Sequence, residues 1–485
     1  MQDLINSTVK HQSVKAMKWM TSAEVGTRLL QFGVSIVLAR LLGPSVFGVF
    51  GVCLIFFRLV GALGDLGFST VIIQKEDLTG KMIGSAATLS LLFSCMLCMG
   101  LYLSASYAYY FFPYEGLEDV LRAFSFVFIL EGLCIILRSI FIRELRFKAL
   151  TVVQLLALVM GSGISLLLAF HGMGVWSLIV GLYTEIGLQV LLFMILSRRT
   201  IRPQIDGVST KENIQFALKI LLTRAAYFLN ANLGALLVGK FLGEYALGLY
   251  VVAYGLMDAP VQRISKNIGI VSFTTLSKFQ KDTQEFQKVY GTINHYFSLF
   301  VFAVFIGLFI VSQEFVVSFY GTAWQGMVIP LRVLCFAGIF RSLLVISSSS
   351  LVALNKVEME IGISLGQALL MLILVLLLLQ FGTAGACFGV ACAHGLGYLA
   401  SLFVLASKFK QTRTECFIHL YHSAVPSGVM VLISGLIWLL FKDSFTNLTF
   451  LIANIAACGT GFVLTVFWMD GTFFTQARKF LFVWS

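Results

Sequence analysis

Apolar residues gather into fourteen runs, at 21–39, 46–64, 84–104, 121–140, 151–170, 174–196, 217–238, 244–263, 292–312, 332–352, 359–380, 384–406, 424–440 and 448–468. Each is close to the ~20 residues that a helix needs to cross the hydrocarbon layer of a membrane. The pattern therefore predicts an all-α fold, a polytopic membrane bundle of about fourteen transmembrane helices. Short polar joins separate the runs, and their charges test the assignment independently. Of the 34 lysines and arginines, 23 fall in alternate joins or in the tails, whereas the intervening joins hold only Arg40, Arg122, Lys240, Arg332 and Lys442. By the positive-inside rule both termini are expected in the cytoplasm. Lys10, Lys15 and Lys18 precede a first run that leads straight into a second, so this run is expected to persist as a membrane helix and not as a cleaved signal.

Composition agrees with lipid as the solvent. Hydrophobic residues make up 59% of the chain and charged ones 12%, with a mean hydropathy of +0.93. Glycine reaches 43 residues against 6 prolines, which suits close helix contact where van der Waals fit replaces the hydrophobic force. A net charge of +11 could suggest nucleic acid, but its carriers are strung along the joins without a basic face or aromatic platform; attraction to anionic lipid accounts for it more simply. Of the nine cysteines only Cys95 and Cys98 stand two residues apart, within an apolar run and with no second pair to complete a zinc site, and no cofactor or metal is expected. His171, His295 and His394 are dispersed, with no carboxylate at catalytic spacing.

An internal repeat sets the domain plan. Arg40-Leu-Leu-Gly-Pro-Ser-Val-Phe-Gly-Val-Phe and Lys240-Phe-Leu-Gly-Glu-Tyr-Ala-Leu-Gly-Leu-Tyr match at an offset of 200 residues, and both join the first and second helices of a six-helix unit. Six is even, so the two units start from the same membrane side and form a parallel repeat. Residues 1–205 and 206–410 are expected as two six-helix lobes, with helices 13 and 14 and a short tail at 411–485. Gly43 and Gly243 are expected to turn the chain with positive φ, and Gly48 and Gly248 to permit close packing.

Charges inside the apolar runs are the main clue to chemistry. One charge at mid-membrane costs about 2.5–3.5 kcal/mol on translocon scales, so such groups are expected to face a wet interior or one another. Arg28, Arg58 and Arg224 lie farthest from the cytoplasmic ends and are the first candidates for cargo contact, ahead of Arg341, whereas Arg138 and Arg263 lie near cytoplasmic ends, where a long side chain can snorkel. Guanidinium groups bind phosphate oxygens through paired bonds and keep their proton, which points to an anionic cargo such as a diphosphate. Ion pairing is the alternative: Glu24 and Arg28 are four residues apart on one helical face, and Asp258 and Arg263 are five apart, a poorer match. Asn230, Asn232 and Gln189 either hydrogen-bond a sugar or tie helices together. Glu24, Asp65, Glu131 and Asp258 are the carboxylates to consider for ion coupling. The aromatic cluster at 107–114 is expected at a membrane edge.

Further residues carry a family resemblance: Leu38-Ala-Arg-Leu-Leu-Gly-Pro-Ser-Val-Phe-Gly, Asp65-Leu-Gly-Phe, Ile73-Gln-Lys-Glu-Asp-Leu-Thr, Phe319-Tyr-Gly-Thr-Ala-Trp-Gln and Ile329-Pro-Leu-Arg-Val-Leu-Cys. In their order and spacing the chain resembles the polysaccharide transport family of the multidrug/oligosaccharidyl-lipid/polysaccharide exporter superfamily, above all its bacterial lipopolysaccharide and colanic acid repeat-unit flippases. The resemblance implies a V-shaped pair of lobes that rock between inward-facing and outward-facing states in the bacterial inner membrane. It implies as cargo an undecaprenyl-diphosphate-linked oligosaccharide, moved to the outer leaflet for surface polysaccharide synthesis. Coupling to a proton or sodium gradient, and a polysaccharide polymerase and export machinery as partners, belong to the same expectation. A cation-coupled multidrug exporter of the superfamily is the alternative, and would carry an apolar or acidic cavity. A membrane glycan polymerase or ligase is a weaker one, because the outward joins are too short for a catalytic domain.

Overall fold

A computed structural model describes the backbone of residues 2–63, 72–73, 80–197, 207–409, 413–441 and 447–469, and the side chains of 26–59, 72–73, 80–197, 228–408, 421–440 and 447–469. Among these residues every regular element is helical. The chain divides into two compact units. The first comprises Met1–Phe228 with Gly243–Tyr245, the second Leu229–Leu242 with Ala246–Ser485. The division falls inside one long helix, at Phe228/Leu229, whereas the sequence repeat sets it at 205/206.

The first unit holds α1 (Gln2–Leu63), α2 (Gly80–Phe111), α3 (Leu117–Ser125), α4 (Val127–Arg143), α5 (Phe147–Phe170) and α6 (Val175–Leu196). Here α5 packs along α6 and α1, while α4 packs on α2 and α6. The α5–α6 seam shows why glycine is abundant. A Cβ on Gly161 would stand 2.8 Å from the Glu185 Cβ, and one on Gly181 would stand 2.9 Å from both the Gly161 carbonyl oxygen and the Ser165 Cβ. Contacts under 3.0 Å are closer than carbon atoms tolerate, so the two backbones touch only because these side chains are missing.

The second unit holds the end of α7 (Gly207–Pro260), then α8 (Lys266–Leu276), α9 (Thr283–Phe315), α10 (Val328–Ala353), α11 (Val357–Leu378), α12 (Gly382–Phe409), α13 (Arg413–Phe441) and α14 (Asn447–Met469). Helix α10 lies against α8, α9 and α12; α13 and α14 pack on each other and on α9. The last two helices are thus built into the second unit. A π-helical turn, Val261–Ser265, separates α7 from α8 directly after Pro260.

Among the described residues, eleven helical segments are long and apolar enough to cross a membrane. Three of the long ones are bent inside: Gly26–Leu59 at 34 residues, and Phe228–Phe279 and Val357–Lys408 at 52 each. Even the shortest would reach about 51 Å if straight, against a hydrocarbon thickness of about 30 Å. Each is interrupted by a glycine in the left-handed region, Gly43 at φ +76°, Gly243 at +86° and Gly382 at +70°, a conformation that costs glycine little. The three bent segments each span parts of two of the apolar runs, and the tally of eleven among the described residues differs from the fourteen expected.

The repeat also shows in a place where sequence does not announce it. Helices α4 and α10 end in the same cap, with Leu145 at φ +54° and Asn355 at φ +58°. The Arg146 N–H donates to the Phe141 carbonyl and the Lys356 N–H to the Leu351 carbonyl, both at 2.9 Å. This is the six-to-one bond of a Schellman motif, and it aligns the two helix ends, Leu145 with Asn355.

Candidate functional site

In the second unit Asp258 and Arg341, both within apolar segments, form an ion pair. Asp258 lies beyond Gly243 by about 22 Å of helix, and its Oδ1 is 2.9 Å from the Arg341 Nη1, with the two side chains 20% and 14% exposed. Arg341 also donates to the Tyr254 hydroxyl and stands over its ring, 5.5 Å from the centroid. Tyr254 in turn stacks on Tyr250 at 5.6 Å. Asp258 sits just before the π-helical Val261–Ser265, a departure from regular helix that is frequent at functional sites. Deeper in the unit, His394 is 2% exposed and meets the Gln367 side-chain amide.

The repeat places opposite charges at the matching positions of the first unit. Arg58 follows Gly43 by the same stretch of chain that separates Asp258 from Gly243, and Glu131 precedes Leu145 by the stretch that separates Arg341 from Asn355. Yet Glu131 does not take Arg58 as its partner: its electrostatic neighbours are Arg138 and Glu185. The Arg138 guanidinium bonds through Nη2 to the Gln189 Oε1 at 3.3 Å and to the Cys134 Sγ at 3.4 Å. Arg58 stays exposed on α1. Arg28 precedes Gly43 by as much chain as Arg58 follows it, so the two stand equally far from the bend, and Arg28 is exposed as well. Its Nη1 donates to Gln31 at 3.1 Å, and its charge reaches Glu185. In the second unit Asp258 is paired with Arg341, and in the first Arg28 and Arg58 are exposed at equal distances along the chain from Gly43.

The remaining expectations divide as follows. The Arg224 and Glu24 side chains and all of Asp65 lie outside the described residues. Asn230 donates to the Ser364 carbonyl at 2.9 Å and to its hydroxyl at 3.2 Å, so it ties α7 to α11. Asn232 is buried at 1% exposure. Arg263 is exposed on the π-helical turn. In the aromatic cluster, Tyr107, Tyr109 and Tyr110 are exposed, whereas Phe112 and Tyr114 are buried. Tyr254, Glu185 and Cys134 carry contacts that residue spacing did not indicate, and for Tyr254 and Glu185 the partners lie on other helices. Among the described residues no three His, Cys, Asp or Glu side chains converge as a metal site.

Eleven apolar helical segments of crossing length, with an Asp258–Arg341 ion pair between two of them, define a multi-pass integral membrane protein. Residues 37–329, more than half of the chain, match the family described as polysaccharide biosynthesis protein, and the chain belongs to that family. It is 22% identical over 467 residues to an uncharacterized membrane protein in the cps region of Klebsiella pneumoniae, covering 95% of this chain and 96% of the relative. It is 23% identical over 441 residues to the lipopolysaccharide biosynthesis protein WzxC of Escherichia coli strain K12, covering 89% of each. Its fold matches the lipid II flippase MurJ in an inward closed conformation with a TM-score of 0.74 at 14% identity, over 95% of this chain and 99% of that one.

Proposed function

We propose that the protein moves an undecaprenyl-diphosphate-linked oligosaccharide from the cytoplasmic to the outer leaflet of the bacterial inner membrane by alternating access, without covalent chemistry. In this reading each bent segment crosses the membrane twice, which yields fourteen crossings and cytoplasmic termini. The diphosphate is held by Arg28, Arg58 and Arg224, whose fixed charges replace its hydration during transfer. A proton or sodium gradient drives the cycle, with Glu131 and Glu185 around Arg138 as the coupling carboxylates. A polymerase receives the delivered glycan.

The observation that carries this reading is the exposure of Arg28 and Arg58 on an apolar helix, each about 22 Å along it from the Gly43 bend. Guanidinium groups on an apolar membrane helix mark a substrate path or wet interior more often than a lipid-facing surface. Arg341, held by Asp258 and Tyr254, and Asn230, held by Ser364, serve the packing of the second unit. The family and the lipid II flippase fold support a lipid-linked cargo. The test is transfer of a defined undecaprenyl-diphosphate oligosaccharide in proteoliposomes. Alanine at Arg28 or Arg58 is expected to slow transfer about tenfold or more, the worth of one charge-assisted bond. Unchanged transfer in both variants rejects the anion site, and transport of organic cations in place of the lipid would support the drug-exporter alternative.

A further inference from the structure

The repeat carries one further polar device, built once in each unit around an arginine of α3 and an arginine of α10. Arg122 precedes Leu145 by the same stretch of chain that separates Arg332 from Asn355, so the shared helix caps make the two arginines matching residues. Each guanidinium holds a serine of the long helix before it. Arg122 donates through Nη2 to the Ser106 Oγ of α2 at 3.0 Å, and Arg332 through Nε to the Ser312 Oγ of α9 at 2.8 Å. Each also stands over an aromatic ring about one turn ahead of that serine, Tyr102 at 5.6 Å and Phe309 at 5.7 Å. These rings meet Phe126 and Phe336 edge-on, at 6.0 and 5.6 Å, and Phe126 and Phe336 are again matching residues.

The two copies differ in one group. In the first, Glu118 closes the clamp: its Oε1 lies 2.6 Å from the Arg122 Nη2 and accepts from the Ser106 hydroxyl at 2.9 Å. The matching residue of the second unit is Val328, and there the Ser312 hydroxyl donates to the Phe309 carbonyl of its own helix. Among the described residues no carboxylate pairs with Arg332, whose contacts are the Ser312 hydroxyl and the Phe309 ring. With Nε engaged, the Nη1 and Nη2 donors are left over. The first copy thus shows what completes such a clamp, an oxyanion, and the second lacks one of its own.

Position along the helix narrows which oxyanion reaches it. Val328–Ala353 is 26 residues long, about 39 Å, so its ends stand a few ångströms outside a hydrocarbon layer of about 30 Å. Arg332 comes about 6 Å after the helix start, and helical side chains tilt back toward that end. Its guanidinium therefore reaches the level of lipid phosphates. Ile329 and Phe336, on the same face of α10, are 61% and 42% exposed, so that face is open to the surroundings of the unit. A guanidinium takes phosphate oxygens through paired bonds and keeps its proton while doing so.

We propose that the Arg332 clamp binds the phosphate of a membrane lipid in the place that Glu118 fills in the first unit. A resident glycerophospholipid and a polyprenyl diphosphate offer this group alike, and the site stands whether or not Arg28 and Arg58 meet cargo. The full-length protein in neutral detergent micelles is titrated by native mass spectrometry with dioleoylphosphatidylglycerol, with dioleoylglycerol as the phosphate-free control, and with undecaprenyl diphosphate. Arg332→Gln is expected to bind phosphatidylglycerol about tenfold more weakly, as the loss of a bond between charged groups predicts. Two substitutions exchange the copies. Val328→Glu supplies an internal carboxylate and should weaken binding as far as Arg332→Gln does, although the arginine remains. Glu118→Val opens the first copy and should add one further lipid of comparable affinity, a gain that misfolding does not produce. Thermal unfolding of the other two variants separates lost binding from lost fold. Stronger retention of undecaprenyl diphosphate assigns the site to a polyprenyl lipid, and stronger retention of phosphatidylglycerol assigns it to resident phospholipid. Binding unchanged in Arg332→Gln or in Val328→Glu, equal retention of dioleoylglycerol, or a Glu118→Val protein that gains no lipid overturns the proposal.

Discussion

Replacing Arg341 by methionine removes one partner of the Asp258 ion pair while keeping an unbranched side chain on α10. Asp258 then sits among apolar helices at 20% exposure without its counter-charge. Breaking one side of a buried pair costs about 3–5 kcal/mol, and an exposed pair contributes about 0.2–1 kcal/mol. Exposures of 14% and 20% place this pair near the buried limit, and the Tyr254 bond is lost with it. About 3 kcal/mol is the expected cost, roughly 160-fold in the unfolding equilibrium. Asp258→Asn should cost about 2–3 kcal/mol, because Arg341 keeps its charge and its tyrosine. The double variant carries neither charge, so its cost should be no greater than that of Arg341→Met alone, since removing both members of such a pair is often nearly neutral. The assay is reversible unfolding in mixed micelles with increasing dodecyl sulfate, followed by circular dichroism. A double variant whose loss equals the sum of the single losses within about 0.5 kcal/mol refutes the coupling, and would return Arg341 to the set of arginines open to cargo.

Three other outcomes follow from single positions. Leu145, left-handed at φ +54° and 72% exposed, should gain about 1 kcal/mol in the same unfolding assay when replaced by glycine, which takes that conformation without Cβ strain. Gly181→Ala should cost about 1–3 kcal/mol by pushing α6 off α5, and Ser165→Gly in the same chain should recover part of it, because Ser165 is the side chain in the way. With the other tryptophans replaced by phenylalanine, brominated lipid should quench Trp468, 84% exposed, and leave Trp324, fully buried, nearly unaffected; equal quenching would contradict the placement of Trp468 at the lipid surface.

Local properties of this protein were readable from its residues, and contacts between distant helices were not. Apolar runs report themselves because lipid demands about 20 such residues at each crossing. The turn role of Gly43 and Gly243 followed from their matching contexts, and both take positive φ. Asp258 shows where reading failed. Spacing along its helix offered only Arg263, whereas its partner is Arg341, far along the chain on α10. Arg138 similarly meets Gln189, a pairing set by the approach of α4 to α6. Helical periodicity ranks neighbours at three and four residues and contains nothing about which face meets which helix. The two arginines carrying most of the functional argument, Arg28 and Arg58, were singled out by cost alone: a charge far from the ends of an apolar run needs a reason to be there.

The near contact of Gly161, Gly181 and Ser165 has a mechanical consequence. Interlocked backbones with no slack cannot slide past each other by a fraction of a turn, because every intermediate register would drive a peptide group into its neighbour. Helices α5 and α6 must therefore travel as a single plank in any motion of the first unit, and flexing has to come from the left-handed bend at Gly43 or from the joins.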